Sequence, residues 1–175
     1  MIELQPFTQE DVPRLAEWVD NEELCRQWTG NAFSWPLQEV ELLDHLQLQI
    51  QSGAGRLFRA WHIAKRQVVG HIELNQINKS RGTASICRAL IGSRGDRQLG
   101  LGTRMVEQVC DVAFGEIGVD HLFLKVLIFN LTAVGCYKNV GFCLERTLDQ
   151  DTQIGDRFWS TYLMRLDREV WQAQK

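Results

Sequence analysis

The sequence predicts an α/β fold in which helices cover both faces of a single mixed sheet. Segments 56–64, 67–76 and 83–91 read as three successive strands, and the turns between them are short and polar. Such turns favour antiparallel pairing of neighbouring strands. After 83–91 come a helical pattern and the almost continuous apolar run 121–128, which is typical of a strand buried on both faces. This order predicts a right-handed parallel crossover within an otherwise antiparallel sheet.

Length and composition favour one ordinary globular domain that spans residues 1–175. The chain is long enough to bury a core without disulfides or metals, and 45% hydrophobic and 23% charged residues are typical values. A net charge of -3 argues against a nucleic-acid partner, which usually requires a strongly basic surface. The N-terminus lacks the pattern of a signal peptide, and no run reaches the roughly 18 apolar residues of a membrane helix. We therefore expect a cytoplasmic protein with no membrane partner.

The cysteines and histidines predict free thiols and no metal site. The five cysteines are odd in number, and no two of them form a C-x-x-C pair. Four of them lie in apolar runs and are expected to be buried in a reducing compartment. These four are Cys87, Cys110, Cys136 and Cys143. None of the four histidines stands at metal-ligand spacing from a cysteine or from another histidine, so no metal is expected.

The first third of the chain predicts one strand and two helices. Segment 3–7 reads as a short strand. Thr8 is a good N-cap for a helix that continues through the apolar positions of 12–19. A loop with two tryptophans comes next. Segment 34–52 then reads as a second helix, which its serine and proline are expected to open.

The second half of the chain predicts two further helices and a closing hairpin. An apolar face recurs at helical spacing over 103–114. Asn130 is expected to cap a short helix. Segments 142–148 and 157–166 read as two strands of a hairpin across the acidic loop 149–156.

A glycine-rich turn suggests a phosphate-bearing ligand. Arg97-x-x-Gly100-x-Gly102 leads directly into a helix, where backbone N–H groups can converge on a phosphate and the helix dipole favours negative charge. A plain strand-to-helix turn is the alternative. A dinucleotide-binding loop is disfavoured, because Met105 occupies the place of its third glycine. Five basic residues before or within the turn could serve the same ligand: Lys79, Arg81, Arg88, Arg94 and Arg97. A solvated loop is the alternative, and for any single one of them it is favoured.

A second motif lies on the helix that Asn130 is expected to cap. Asn130, Ala133, Tyr137 and the pair Gly141-Phe142 fit the pattern N-x-x-A-x-x-x-Y-x-x-x-G-F at unbroken spacing. Together with the loop pattern Q/R-x-x-G-x-G/A, it resembles the GNAT N-acetyltransferase superfamily, in particular the branch that includes ribosomal-protein N-terminal acetylating enzymes. The resemblance spans the whole chain. It implies the GNAT-like acyl-CoA N-acyltransferase fold, whose mostly antiparallel sheet contains one splayed parallel pair.

The resemblance also implies a reaction. Family members transfer the acetyl group of acetyl-CoA directly to a primary amine in a ternary complex. The acceptor would be a protein N-terminus or a small molecule such as a polyamine, an amino acid or an aminoglycoside, and the protein would be a monomer or a homodimer. Because alkyl amines have a pKa of about 10.4, the acceptor must lose a proton before it attacks. A non-catalytic acyl-CoA-binding module is the alternative.

Individual residues acquire roles from the same resemblance. The backbone of the glycine-rich turn would hold the pyrophosphate, and the end of the preceding strand together with Asn130 would bind the pantetheine arm. Tyr137 would protonate the departing thiolate. The implied cofactor-binding residues are Leu90, Ile91, Gly92, Arg97, Gln98, Leu99, Gly100, Leu101, Gly102, Thr103 and Asn130. A turn residue, a helix cap and a core tyrosine are the corresponding structural alternatives.

The general base has no obvious candidate at the usual place. Many family members carry a glutamate on the strand before the loop, but segment 84–88 contains no carboxylate. Glu73, a charged residue in an apolar strand, is the first candidate if it points into the cleft, and a solvent-facing position is the alternative. His71 with a chain of waters is a weaker choice. Cys136 is expected to be structural rather than nucleophilic.

Aromatic residues and carboxylates are the candidates for the acceptor side. In the resemblance, the loop between the first two helices and the closing hairpin line this side. The candidates there are Trp28, Trp35 and Trp159 together with the acids Glu22, Glu23, Asp149 and Asp151. Aromatic faces beside carboxylates suit a cationic amine. Each tryptophan could instead belong to the core, and each acid could simply be solvated.

Overall fold

The computed structural model describes residues 1–154 and 156–175, and within these ranges the chain forms seven β-strands and six α-helices. The strands are β1 (Ile2–Pro6), β2 (Arg56–His62), β3 (Gln67–Asn78), β4 (Thr83–Ile91), β5 (His121–Leu127), β6 (Cys143–Ile154) and β7 (Arg157–Asp167). The helices are α1 (Val12–Trp18), α2 (Glu22–Thr29), α3 (Glu39–Ser52), α4 (Leu101–Asp111), α5 (Leu131–Val140) and α6 (Arg168–Ala173).

All seven strands form one mixed sheet in the order β1-β2-β3-β4-β5-β7-β6. The first four strands pair antiparallel with their neighbours in sequence. β7 pairs antiparallel with both β5 and β6. β4 and β5 form a parallel pair, and α4 connects them. The sheet therefore confirms the predicted topology of one parallel crossover among antiparallel pairs.

Two hydrophobic cores lie on the two faces of the sheet. The first core packs α4, α5 and α6 against buried side chains such as Ile72 and Met164. The second core packs α1, α2 and α3 around residues such as Leu15. β2 contributes Phe58 to the first core and Leu57 to the second, because successive side chains of a strand point to opposite faces. Helices thus cover both faces, as predicted.

β4 and β5 are joined over only part of their length. Residues 83–86 of β4 pair with residues 121–124 of β5. Beyond this point β4 continues beside β3 as far as Ile91, and β5 continues beside β7 as far as Leu127. A wedge without ladder hydrogen bonds therefore opens between the carboxyl ends of the two strands. We call it the β4–β5 wedge.

One extra residue in β4 reverses the face of the sheet to which the following side chains of the strand point. The paired positions Cys87 and Leu90 are separated by two residues of β4, whereas their partners on β3 are separated by one residue. Arg88 takes up the extra residue with a left-handed φ of 49°. Because strand side chains alternate with a period of two, this bulge moves the following residues to the opposite face. Ile86 accordingly lies in the first core and Leu90 in the second.

The structure corrects two predictions in the N-terminal third. α2 stands where the sequence predicts a loop, and the Asn21 side chain caps it by accepting a hydrogen bond from the Leu24 N–H at 2.9 Å. α3 begins at Glu39, later than predicted. Ser34 remains outside the helix and its hydroxyl donates to the Glu41 carboxylate at 2.7 Å.

The C-terminal part also departs from the predictions. β6 runs to Ile154, so most of the predicted acidic loop 149–156 is strand. α6 was not predicted, and its Trp171 packs into the first core. Cys143 is exposed rather than buried, and all five cysteines are free thiols.

Two further observations bear on partners. No helix in the described part of the chain is long and apolar enough to cross a bilayer. Across residues 1–154 and 156–175, no group of three or more histidine, cysteine, aspartate or glutamate side chains is arranged to hold a metal ion.

Candidate active site

The glycine-rich turn enters α4 through two residues with a left-handed backbone. Gln98 has a φ of 62° and Gly100 a φ of 75°, so the chain turns sharply before the helix begins at Leu101. The first N–H groups of a helix have no acceptor within it, and the helix dipole makes this end positive. The turn can therefore bind an anion through its backbone, as the motif predicts.

The side chain of Arg97 holds this turn against the end of β4. Its Nε donates to the Ile91 carbonyl at 3.0 Å, and its Nη2 donates to the Gly92 carbonyl at 3.3 Å. Gly92 packs directly on the indole of Trp18, where an added Cβ would lie 2.1 Å from the ring. These contacts fix the position of the turn relative to the wedge.

A cavity of about 640 Å³ lies between the turn, the end of β4 and α5. We call it the cofactor cavity. Eight of the predicted cofactor-binding residues line it: Leu90, Ile91, Arg97, Gln98, Gly100, Gly102, Thr103 and Asn130. The other three do not. Leu99 is 62% exposed, Leu101 packs into the first core, and Gly92 is covered by Trp18.

α5 carries the second motif along the wall of this cavity. The Asn130 Oδ1 accepts a hydrogen bond from the Ala133 N–H at 3.2 Å and so caps the helix. Gly141 ends the helix with a φ of 108°. Asn130, Ala133 and Tyr137 share one helix face, and all three line the cavity. Asn130 is thus a helix cap and a wall of the cavity at once.

Tyr137 lies half-buried where α5 faces the wedge. Its ring contacts Phe142 edge to face, with the two centroids 6.1 Å apart. Burial, and to a smaller extent the nearby Cys136 and Cys87 thiols, raises the pKa of the Tyr137 hydroxyl far above its usual value. The phenol therefore stays protonated at neutral pH and can donate a proton or a hydrogen bond.

A second cavity, of about 500 Å³, opens on the α2 side of the wedge. We call it the acceptor cavity. Its walls come from α2, the splayed parts of β4 and β5, and β7. It shares six residues with the cofactor cavity: Gln27, Trp28, Ala89, Asn130, Ala133 and Tyr137. Ligands in the two cavities would therefore meet beside Tyr137, which is the proximity that direct group transfer needs.

Glu73 is buried on β3 rather than facing solvent, so the solvent-facing interpretation is wrong. Its carboxylate accepts hydrogen bonds from Arg88 Nη1 and Asn75 Nδ2 at 2.7 Å, and it contacts the Nε2 atoms of His45 and His71 at 2.9 and 3.1 Å. Burial alone would raise the pKa of Glu73, but the histidine hydrogen bonds and the Arg88 charge lower it well below the usual range. Neither Glu73 nor His71 lines either cavity.

Only one of the three predicted substrate-binding tryptophans lies at the site. Trp28 lines both cavities, and its Nε1 donates to the Arg88 carbonyl at 2.8 Å, at the bulge of β4. Trp35 packs against the second core. Trp159 makes an edge-to-face contact with Phe129, with the ring centroids 5.2 Å apart. Trp35 and Trp159 line neither cavity.

The four predicted acids do not line the acceptor cavity either. Glu22 and Glu23 lie on the exposed surface of α2, where they contact Arg26 and Gln27. Asp149 is exposed on β6. Asp151 accepts hydrogen bonds from the Thr161 hydroxyl at 2.7 Å and from Lys125 Nζ at 2.9 Å. Although burial opposes it, these donors lower the pKa of Asp151.

Three charged side chains line the acceptor cavity, and all three are cations: Arg26, Arg88 and Lys125. None of them was predicted to contact the acceptor. A signal was present for two of them, because Arg88 and Lys125 interrupt strands that are otherwise mostly apolar.

Of the five basic residues expected to serve the phosphate-bearing ligand, Arg97 lines the cofactor cavity, whereas Arg88 lines the acceptor cavity and Arg94 lines neither. The expected basic cluster is also wrong for Lys79 and Arg81. They precede β4, whose nine residues span about 30 Å to the glycine-rich turn.

The chain matches the model of the acetyltransferase (GNAT) domain over residues 2–143. This match covers most of the chain, so the protein belongs to the GNAT acetyltransferase family and is an acetyl-CoA-dependent acyltransferase. It confirms the resemblance identified from the loop and the α5 motif. It also favours an enzyme over a non-catalytic acyl-CoA-binding module.

Solved structures of a spermidine N-acetyltransferase from Vibrio cholerae share the fold. The complex of that enzyme with CoA and spermine is 20% identical to this chain, covers 98% of each chain and has a TM-score of 0.86. Its dodecameric form in an intermediate state is 20% identical, covers 99% of this chain and 98% of that one, and has a TM-score of 0.81. At this identity the likeness establishes the fold.

Proposed function

We propose that the protein transfers the acetyl group of acetyl-CoA to a primary amine, by direct attack in a ternary complex. The observation that carries this proposal is the meeting of the cofactor and acceptor cavities beside Tyr137. An amine that reaches the wedge from one side can attack a thioester that enters from the other. No covalent enzyme intermediate is needed, because holding both reactants together supplies much of the rate enhancement.

In this proposal the chain positions the thioester at three points. The first turn of α4 binds the pyrophosphate through backbone N–H groups. Asn130 and the unpaired edge of β4 near Leu90 and Ile91 bind the pantetheine arm. That edge also supplies the N–H donors that stabilise the oxyanion of the tetrahedral intermediate.

The acceptor amine must lose a proton before it can attack. No carboxylate or histidine of the described chain lines either cavity, so we propose that the ammonium releases its proton to water. The positive charges of Arg26, Arg88 and Lys125 favour this step, because nearby like charge lowers the pKa of a bound ammonium. The amine nitrogen then bonds to the acetyl carbon, and Tyr137 donates its proton to the sulfur as the C–S bond breaks. The proton that the attacking nitrogen loses at this stage restores the Tyr137 phenol.

Replacement of Tyr137 by Phe tests the proposal. Loss of a proton donor in the transition state typically costs 10²–10⁴-fold, so we expect kcat for CoA release to fall by roughly 100-fold or more. The Kd for CoA, measured by calorimetry, should change by less than about twofold because the ring remains in place. Tyr162→Phe is the matched control, since Tyr162 is the one other tyrosine of the chain and lines neither cavity.

Two outcomes would contradict the proposal. If Tyr137→Phe and Tyr162→Phe lower kcat equally, Tyr137 is not the proton donor. If the wild-type protein binds CoA but releases no thiol from acetyl-CoA with any amine in a broad panel, the protein does not act as an amine acetyltransferase.

We further propose a reducing, cytoplasmic location and a monomeric or dimeric state. The location is supported by five free cysteines, of which Cys25 and Cys110 are buried. Light scattering during size-exclusion chromatography measures the assembly. A dodecamer like the spermidine N-acetyltransferase form described above would contradict a monomer or homodimer.

A further inference from the structure

The acceptor cavity is lined by cations and by no acids within the described residues. Its charged lining consists of Arg26, Arg88 and Lys125. The remaining lining is apolar, aromatic, amide or hydroxyl side chains such as those of Trp28 and Thr161. The charged side chains that line this cavity are therefore all cations.

The carboxylates closest to these cations are already engaged with protein donors. Glu73 accepts from Arg88 and three further side chains and is 1% exposed. Asp151 is held by Lys125 and Thr161. Neither of these two carboxylates lines the acceptor cavity.

The cations, in contrast, have donors to spare. The Arg88 Nε is buried and makes no hydrogen bond in the described chain, although its Nη1 contacts Glu73. Lys125 is 58% exposed and donates one hydrogen bond, to Asp151, out of the three that an ammonium can make. Arg26 holds the Phe33 carbonyl at 3.0 Å and Glu22 at 3.4 Å, which leaves several of its five N–H groups.

We infer that the acceptor is a small primary amine that also carries a carboxylate, and that polyamines are poor substrates. The inference rests on the proposed function. The carboxylate binds the spare donors of Lys125 and Arg26, while the amine points to the wedge beside Tyr137. A polyamine would instead place its second ammonium group among like charges, which disfavours it. Lys125 and Arg26 are thus specificity-determining residues.

Matched pairs of acceptors test the inference. Initial rates of CoA thiol release are measured with β-alanine and β-alaninamide, with 4-aminobutyrate and 4-aminobutanamide, and with spermidine. In each pair, the acceptor that carries the carboxylate should have a kcat/KM about 10- to 100-fold higher than the corresponding amide. This is the range expected for hydrogen bonds to a charged group. Spermidine should be slower than either carboxylate.

Variants of the exposed cation complete the test. Lys125→Gln should reduce the ratio of kcat/KM between carboxylate and amide by about tenfold. Its Kd for CoA should be retained, because Lys125 does not line the cofactor cavity. Lys79→Gln, in the exposed turn before β4, is the matched control and should keep the ratio. Arg26→Gln provides a second variant in case the first one folds poorly.

The possible failures are distinguishable. If amides and carboxylates react alike, or if spermidine is preferred, the inference is wrong while the proposed acetyl transfer to amines stands. If the ratio of kcat/KM between carboxylate and amide is unchanged in both Lys125→Gln and Arg26→Gln, these two residues do not determine the specificity. If no amine of any charge releases thiol although CoA binds, the proposed function itself fails.

Discussion

Glu73 lies opposite the bulge of β4, where it joins Arg88 to His45, His71 and Asn75. The carboxylate and the guanidinium offset each other's loss of water, and the histidine and amide groups satisfy the remaining oxygen lone pairs. Glu73 thereby holds Arg88 in the wall of the acceptor cavity, although Glu73 itself does not line that cavity. In the sequence, Glu73 is a candidate base because it is a charged residue in an apolar strand. In the structure, it holds the Arg88 guanidinium in place.

The same carboxylate predicts how stability depends on pH. We expect Glu73→Gln to lower the free energy of unfolding by about 3 kcal/mol or more, because Arg88 loses a buried counter-ion. Since the folded-state pKa of Glu73 is lowered, its contribution is present above the usual pKa of 4.5 and is lost as pH falls toward the folded value. Urea unfolding between neutral and acid pH should therefore show a smaller decline below this pH in the variant than in the wild type.

Glu22→Gln is the matched control for this measurement, because Glu22 is 60% exposed and pairs weakly with Arg26. It should leave stability nearly unchanged. An equally steep decline with acid in Glu73→Gln and in the wild type would show that Glu73 does not carry the effect.

At the scale of elements, α4 combines helix stability with ligand binding at its first turn. Gly102 lies in this turn and lines the cofactor cavity. An added Cβ would meet only the Cys136 sulfur, at an ordinary 3.8 Å. Glycine weakens a helix relative to alanine. Packing within the protein therefore does not require glycine at 102, and we propose that the space serves the ligand.

Replacement of Gly102 by Ala should separate these two properties. We expect the unfolding free energy to rise by up to about 1 kcal/mol. The Kd for CoA should increase by about tenfold or more, because the methyl group keeps the pyrophosphate from its N–H donors. Thermal unfolding and calorimetry measure the two effects. Gly115→Ala, which also has open space around its Cβ but lines neither cavity, should leave CoA binding unchanged. Unaltered CoA affinity in Gly102→Ala would contradict this account.

The elements differ in how well the sequence predicts them. The sequence predicts α5 from local signals, because Asn130 caps the helix and Gly141 ends it. The motif residues also predict which face of the helix lines the site. α2 carried signals of the same kind, an asparagine cap followed by two acids and by apolar residues at helical spacing. These signals predict a helix but not where it packs. Its position depends instead on Trp28, which reaches across to the β4 bulge.

The bulge itself could not be predicted from local preference. Left-handed backbone usually indicates glycine, yet Arg88 and Gln98 adopt it here. Arg88 donates to the Glu73 carboxylate at 2.7 Å, and Gln98 lies in the turn into α4, so neither conformation follows from the residue type alone. The resemblance indicated the loop and the closing hairpin as the acceptor side, and for this reason the sequence suggested acids and tryptophans rather than the cations of α2, β4 and β5.

For the whole molecule, the wedge predicts where ligand binding will alter dynamics. Segment 87–91 of β4 has one neighbouring strand, whereas 83–86 has two. In hydrogen–deuterium exchange, amides of 87–91 should exchange faster than those of 83–86 and slow when CoA is added. β1, three strands away from β4 at the edge of the sheet, lines neither cavity, should show no change and serves as the internal control. Slow exchange of 87–91 without ligand, and no response to CoA, would indicate that the strands close in solution.

The single inserted position in β4 has a consequence for how this site could be lost. Removing one residue at 88–89 would restore the regular alternation of the strand, so that Leu90 would turn away from the second core. The side chains that the end of β4 presents to the two cavities would change at the same time. A fully regular β4 is therefore incompatible with this site, and the shortened chain should lose both core packing and activity.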